Sequence, residues 1–269
     1  MSDDQVPNPY GMPNPGGQPV QKEVKFDSSL VPIKPIELLT RSKELIGNEY
    51  WSFFLVTFIA MLIAGSVPLI LMGPMFCGVF LAFRQKMLGR PGGMDYLFKG
   101  FDHFGNSLVA TLIQFGVILL ILMPFGLVIG IILMVAIVGL VESGSEELLP
   151  FVIIPVYLFS FVAYMVLLAV VLAPFTFVFQ LVADRGMTGG QACKTSWQIV
   201  KPRYFAFVWM HMVFFVISIL AAMCCVIPAY LFYPIHMGAI AVLYRDICGI
   251  QNPPPPQNTP QPTVSPIAR

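Results

Sequence analysis

Three polar side chains interrupt stretches of the sequence that are otherwise apolar: Gln114, His211 and His236. Imidazole can donate or accept a hydrogen bond and titrates near neutral pH, and a carboxamide both donates and accepts. At a helical rise of about 1.5 Å per residue, each residue lies about 12 to 13 Å from the same end of its stretch. The three could therefore form one polar layer open to the cytoplasm, which is the candidate site.

The alternative favoured by general experience is that each of these residues is hydrogen-bonded singly, to a backbone carbonyl or a neighbouring helix. Gln180 lies nearer the end of its stretch and is expected to extend towards the surface.

Little other chemistry is visible in the sequence. The five cysteines show no CxxC or Cys/His spacing, which argues against a zinc or redox site. No G-x-S-x-G, Walker or H-E-x-x-H pattern occurs. Coupled transporters generally place ionisable groups at depth, and the apolar stretches contain no Asp, Glu, Lys or Arg. The sequence therefore predicts neither an enzyme nor a bound metal or cofactor.

The composition of the chain indicates what kind of helices hold Gln114, His211 and His236. Hydrophobic residues make up 57% of the chain and charged residues 11%, with a mean hydropathy of +0.79, which indicates a membrane protein. Uncharged stretches, each longer than one membrane crossing, run from 51 to 83, 108 to 140, 148 to 183 and 204 to 244.

Proline divides these stretches further. The first and last are expected to split before Pro68 and Pro228, giving two hairpins, because proline disfavours helix at the residue that precedes it. The middle two are predicted to be single helices with breaks near Pro124 and Pro174. The prediction is an all-α bundle of six transmembrane spans.

The positions of the basic residues predict the orientation. All 15 Lys and Arg residues lie before the first span, after the sixth, or in the connections between spans two and three and between four and five. Short cytoplasmic loops are enriched in Lys and Arg. Both termini are therefore predicted to be cytoplasmic, in the inner membrane of a bacterium-like cell. The near-zero net charge of +1 gives no reason to expect nucleic-acid binding.

Amphipathic segments precede spans one, three and five, at about residues 35–46, 94–104 and 188–200. In the second, Met94, Leu97, Phe98, Phe101 and Phe104 share one face. The third opens with Thr188-Gly-Gly-Gln191, which has the spacing of a capping box. Three interfacial helices on the cytoplasmic surface are predicted, with soluble helices as the alternative.

A repeat is also visible. Pro74-Met-Phe-Cys-Gly78 recurs as Pro234-Ile-His-Met-Gly238, and Pro174 takes the matching place in the middle of the chain. The membrane domain, residues 35–249, is therefore predicted to contain three units, each with an interfacial helix, an outward span and a Pro-bearing return span. Their approximate bounds are 35–89, 94–186 and 188–249.

Short motifs resemble those of a broad group of bacterial six-span membrane proteins, related to the membrane domain of some glycerophosphodiester phosphodiesterases. They are Gly73-Pro74 with Gly78, Phe98-Lys-Gly-Phe101, Val182-Ala-Asp-Arg-Gly186, Ser196-Trp197 and Tyr244-Arg-Asp246. The resemblance covers about residues 45 to 249 and implies six spans and no established activity. The chain has no soluble phosphodiesterase domain, so no hydrolytic site is transferred.

Two tails are predicted to be disordered: residues 1–34, which are rich in proline and glycine, and residues 250–269, which are rich in proline. Pro253 to Pro256 could bind a cytoplasmic protein partner as a polyproline II segment, although a passive tail is the commoner case.

Two functions remain open at this stage. The preferred one is a non-enzymatic membrane scaffold or interaction protein that contacts membrane lipids through its interfacial helices. The alternative is a carrier or lipid-handling protein that uses the layer of Gln114, His211 and His236.

Overall fold

A computed structural model describes residues 31–224 and 226–250, which form helices, 3-10 turns and short connections but no strand. The tails, including the proline run 253–256, lie outside the described residues apart from 31–34 and 250. The ten α-helices are α1 Pro35–Ile46, α2 Tyr50–Ser66, α3 Pro68–Met87, α4 Met94–Phe98, α5 Phe104–Glu142, α6 Leu149–Leu172, α7 Val178–Arg185, α8 Gly189–Val200, α9 Tyr204–Cys224 and α10 Val226–Cys248.

Six helical segments are long and apolar enough to cross a membrane, which confirms the predicted number of spans. The first three contain α2, α3 and α5, the fourth contains both α6 and α7, and the last two contain α9 and α10. The expected first hairpin is present, because α2 ends at Ser66 and α3 begins at Pro68 after an extended Val67. Pro68 has the backbone angle that a first helical turn requires, and its missing amide hydrogen is not needed there.

The middle pair of spans departs from the prediction at one proline. A break occurs near Pro174, where α6 gives way to a 3-10 turn, Ala173–Phe175, before α7 begins. The expected break near Pro124 is wrong, because Pro124 lies inside α5, an unbroken helix of 39 residues. Proline removes one amide hydrogen, and small adjustments within an apolar helix can satisfy the carbonyl that is freed.

Short helices precede the first, third and fifth spans, as the sequence predicts, and a 3-10 turn joins each to its span. The second segment is less regular than expected, since α4 ends at Phe98 and residues Lys99–His103 are 3-10. In α8 the capping box between Thr188 and Gln191 is present. Whether these helices lie on a membrane surface stays a prediction.

Each short helix packs against a Pro-bearing helix or turn of another span. Ser42 on α1 donates a hydrogen bond to the carbonyl of Ile235, beside Pro234, at 2.8 Å. Ser196 on α8 donates to the carbonyl of Pro174 at 2.6 Å. Gly100, which follows α4, lies so close to the Pro74 carbonyl that no side chain would fit there. Three equivalent contacts therefore join the short helices to the proline regions of the return spans. The end of the bundle at which Arg84, Asp184 and Arg245 lie is here called the charged end.

Candidate functional site

A cavity of about 210 Å³ that is partly open to its surroundings lies between the helices of the bundle, and residues from five of the six spans line it. Gln114 reaches it from α5, His211 from α9 and His236 from α10, so the structure places all three predicted site residues around one space. Gln180 on α7 lines the same cavity, and its amide oxygen is buried. The Gln180 side chain is partly exposed although its oxygen is buried, so the expectation that it extends to the surface holds only in part.

The His211 ring has a defined hydrogen-bonding state. Its Nδ1 atom lies 2.9 Å from the carbonyl oxygen of Phe207, one turn earlier on α9. A carbonyl oxygen only accepts, so Nδ1 must carry a hydrogen and donate it. In the neutral ring the other nitrogen, Nε2, is then an acceptor.

The His236 ring is fixed by aromatic packing. Phe214 on α9 meets it edge-on with ring centres 4.8 Å apart, and Phe232 lies parallel to it at 6.1 Å. Its Nε2 atom is buried and has no hydrogen-bond partner within the described part of the chain.

Gln114 and Gln180 each contribute one more buried polar atom without a hydrogen-bond partner. The Oε1 atom of each is buried without a hydrogen-bond partner among residues 31–224 and 226–250. An unsatisfied buried polar atom costs about 1 to 3 kcal/mol, so such atoms are rare in folded proteins. The sequence favoured a single hydrogen bond from each residue to the backbone or a neighbouring helix. That interpretation describes His211, but a buried atom of Gln114 and one of His236 have no partner among the described residues.

The rest of the cavity wall is mainly apolar and aromatic. Phenylalanines from α3 and from the α6–α7 region face the space, and no Asp, Glu, Lys or Arg is among the described lining residues. The aromatic members include Phe76, Phe80, Phe83, Phe175, Phe179 and Phe215. The site is thus an uncharged, aromatic-walled cavity with a few converging polar groups, which is the usual character of a small-molecule site.

A buried charge cluster lies beyond one wall of the cavity, at the charged end. Asp184 on α7 forms an ion pair with Arg84 of α3 at 3.0 Å and with its neighbour Arg185 at 3.3 Å. It also accepts a hydrogen bond of 3.0 Å from the hydroxyl of Tyr244 on α10. The Tyr244 ring meets the cavity-lining Phe80 edge-on at 5.2 Å.

This cluster joins the ends of the three return spans, and sequence reasoning did not predict it. The available signal was the charge that ends each of these spans: Arg84, Asp184 with Arg185, and Arg245 with Asp246. Charges at equal depth on neighbouring helices are expected to pair. In the described ranges, no group of three or more His, Cys, Asp or Glu side chains is placed to hold a metal ion.

Comparison with known proteins finds no match to the chain among family models, curated proteins or solved structures. The resemblance to the membrane domain of glycerophosphodiester phosphodiesterases stays a prediction from short motifs.

Proposed function

We propose that this protein binds a small, partly polar molecule in the cavity within its helical bundle, as a carrier or lipid-handling protein does. The observation that supports the proposal is that Gln114, Gln180 and His236 line one aromatic cavity and that each has a buried polar atom without a hydrogen-bond partner among the described residues. A bound molecule that satisfies them would remove a cost of about 1 to 3 kcal/mol for each atom. No catalytic step is part of the proposal.

The size of the cavity limits what it can hold. An apolar cavity of about 150 Å³ is large enough for benzene. The volume of about 210 Å³ here suits one ring with a few substituents, or the head of a larger amphipathic molecule. A whole phospholipid would not fit within the cavity, but the cavity is partly open and the rest of a larger molecule could extend out of it.

A scaffold function, expected from the sequence, is the second candidate. It is favoured by exposed aromatic side chains on the short segments that precede spans three and five. Phe98 and Phe101 near α4 and Trp197 on α8 are all exposed. Such residues would bury their rings in the headgroup region if the charged end faces the cytoplasm, the orientation that the basic loops predict. The Pro-rich tails would then recruit partners.

The two candidates differ in whether the purified protein carries a ligand. Native mass spectrometry from lipid nanodiscs should show a stoichiometric adduct on the wild-type protein. Gln114→Leu should lose the adduct, because it removes a polar atom from the cavity. Gln85→Leu is a matched control, since Gln85 is also 7% exposed with an unpartnered Oε1 but does not line the cavity. A wild-type protein without any adduct would favour the scaffold.

A further inference from the structure

We propose that the charge cluster of Arg84, Asp184 and Tyr244 closes the cavity towards the charged end, so that its ligand enters from the opposite side of the bundle. This inference rests on the proposed function and adds the route by which the ligand reaches the site. It is carried by the positions of the three residues on the return spans, by the contacts among them and by the burial of the cavity wall.

The cluster residues lie at equivalent positions on the three return spans. Arg84, Asp184 and Tyr244 each follow the proline of their span by ten residues, and those prolines are Pro74, Pro174 and Pro234. The cavity lining ends about one helical turn or less before them, at Phe83 on α3, Gln180 on α7 and Ala241 on α10. On each return span the cluster therefore follows the cavity directly, towards the charged end.

The contacts within the cluster join all three return spans across this position. Asp184 accepts from Arg84 at 3.0 Å and from the Tyr244 hydroxyl at 3.0 Å, and the side chain of Asp184 is 0% exposed. Arg185 donates to the Cys248 carbonyl at 2.6 Å, which ties the end of α7 to the end of α10. A molecule that passed here would have to separate a buried ion pair. That separation is costly, because each charge would lose its partner while it is still out of water.

The burial of the cavity wall changes along the same direction. The apolar lining residues nearest to the cluster are all buried: Val79, Phe80, Phe83, Phe179, Ile240 and Ala241. Gln180, also near the cluster, is partly exposed but has a buried oxygen. Farther from the cluster most lining residues of the return spans are partly exposed: Met72, Phe76, Leu172, Tyr233, His236 and Met237. The cavity is partly open, and this gradient assigns the opening to the side away from the charged end.

The opening therefore faces the outer half of the membrane in the orientation that the basic loops predict. Met72 lies four residues after Pro68, the start of α3, which is about 6 Å along the helix. The rim of the cavity is thus close to the outer end of the first hairpin, within reach of both the outer leaflet and the water beyond it. This route replaces the cytoplasmic opening expected from the sequence.

Side-specific labelling of the full-length protein in right-side-out and inside-out membrane vesicles tests the route. In a background without native cysteines, Met72→Cys reports on the opening and Ala241→Cys on the wall beside the cluster. Lys194→Cys marks the side of the charged end. A small, membrane-impermeant methanethiosulfonate is added to one side at a time. Met72→Cys should react from the side opposite to the one that labels Lys194→Cys, if the opening meets water.

An opening that meets lipid is distinguished by a nitroxide attached at each cavity position. Collisions with dissolved oxygen, which concentrates in lipid, should then be more frequent at position 72 than at position 241. Faster methanethiosulfonate reaction of either cavity cysteine from the side of the charged end would overturn the proposed route. Failure of position 72 to exceed position 241 in both measurements would overturn it too. Both comparisons use the intact cluster, so no folding defect of a cluster variant can hide a negative result.

Arg84→Ala tests whether the cluster is what closes the route. It should raise the reaction rate of Ala241→Cys from the side of the charged end by about tenfold, because loss of one partner makes local opening easier. Arg41→Ala is the matched control, since it also removes an ion pair with an aspartate, Asp246 at 2.7 Å, but leaves Arg84, Asp184 and Tyr244 in place. Equal rates in the two variants would show that the cluster does not close the cavity. If the route fails while the wild-type protein carries an adduct in native mass spectrometry, the proposed function stands.

Discussion

At the scale of single residues, Asp184 shows how charge is accommodated next to an apolar cavity. Its side chain is 0% exposed and has two arginines and one tyrosine hydroxyl around it. Desolvating these groups is costly, and their mutual attraction offsets that cost only while every partner is present. Removal of one partner is therefore expected to cost more than the intact cluster contributes to stability.

Replacing Asp184 should be strongly destabilising. Asp184→Asn removes the negative charge and leaves Arg84 and Arg185 beside a neutral group, for an expected loss of about 3 to 5 kcal/mol. Thermal unfolding of the purified protein in one detergent, followed by circular dichroism, measures the change. Asp95→Asn on α4 is the control, because Asp95 is exposed and should contribute little. Similar unfolding temperatures for the two variants would show that the cluster does not hold the helices together.

At the scale of elements, glycines set how closely the short helices approach the spans. A Cβ atom added at Gly78 on α3 would overlap the backbone carbonyl of Leu97 on α4. The Leu97 carbonyl belongs to the backbone and not to a flexible side chain, so one of the two helices would have to move. At Gly116 on α5, by contrast, nothing lies within 4 Å of an added Cβ atom.

Alanine at these two glycines should therefore have opposite effects. Gly78→Ala should destabilise the protein by about 1 to 3 kcal/mol, since overpacking displaces backbone. Gly116→Ala should be neutral or stabilising by up to about 1 kcal/mol, because alanine favours helix over glycine. The same unfolding assay checks both changes. A tolerated Gly78→Ala would mean that α3 and α4 are not in close contact.

The elements were the part of the fold that the sequence predicted best. Lipid must surround each span, so long apolar runs mark spans directly, and Pro68 and Pro174 mark real boundaries. The break predicted at Pro124 does not occur, because one missing amide hydrogen does not end a helix whose other hydrogen bonds are intact. The 3-10 turn after α4 was also missed, because the spacing of its apolar residues also fits an α-helix.

The site was predicted only in part, for a geometric reason. Depth along a helix can be counted from the sequence, and that count selected Gln114, His211 and His236. The direction of a side chain around its helix depends on packing with neighbours, so the sequence left contact between them open. Gln180 was misjudged in part for the same reason, since its distance from the helix end did not show that its oxygen is buried.

At the scale of the whole molecule, the proposed orientation follows from charge. The charged end carries the basic connections, whereas the turn between α5 and α6 contains acidic residues and no Lys or Arg. In the proposed orientation, the positive charge of its connections keeps the charged end in the cytoplasm.

Cysteine labelling tests the orientation. In a background without native cysteines, Ser145→Cys in the turn between α5 and α6 should react with a membrane-impermeant maleimide in intact cells. Lys99→Cys and Lys194→Cys should react only after lysis. Labelling of Lys194→Cys from outside would contradict the six-span orientation.

A cryo-electron microscopy map of the protein in native lipid nanodiscs would show whether the cavity holds a ligand. An antibody fragment bound to an extramembrane surface would provide the mass needed for alignment. We expect ring-sized non-protein density within hydrogen-bond distance of Gln114 Oε1 and His236 Nε2. A cavity closed by inward movement of its phenylalanines, with both atoms bonded to protein groups, would contradict it.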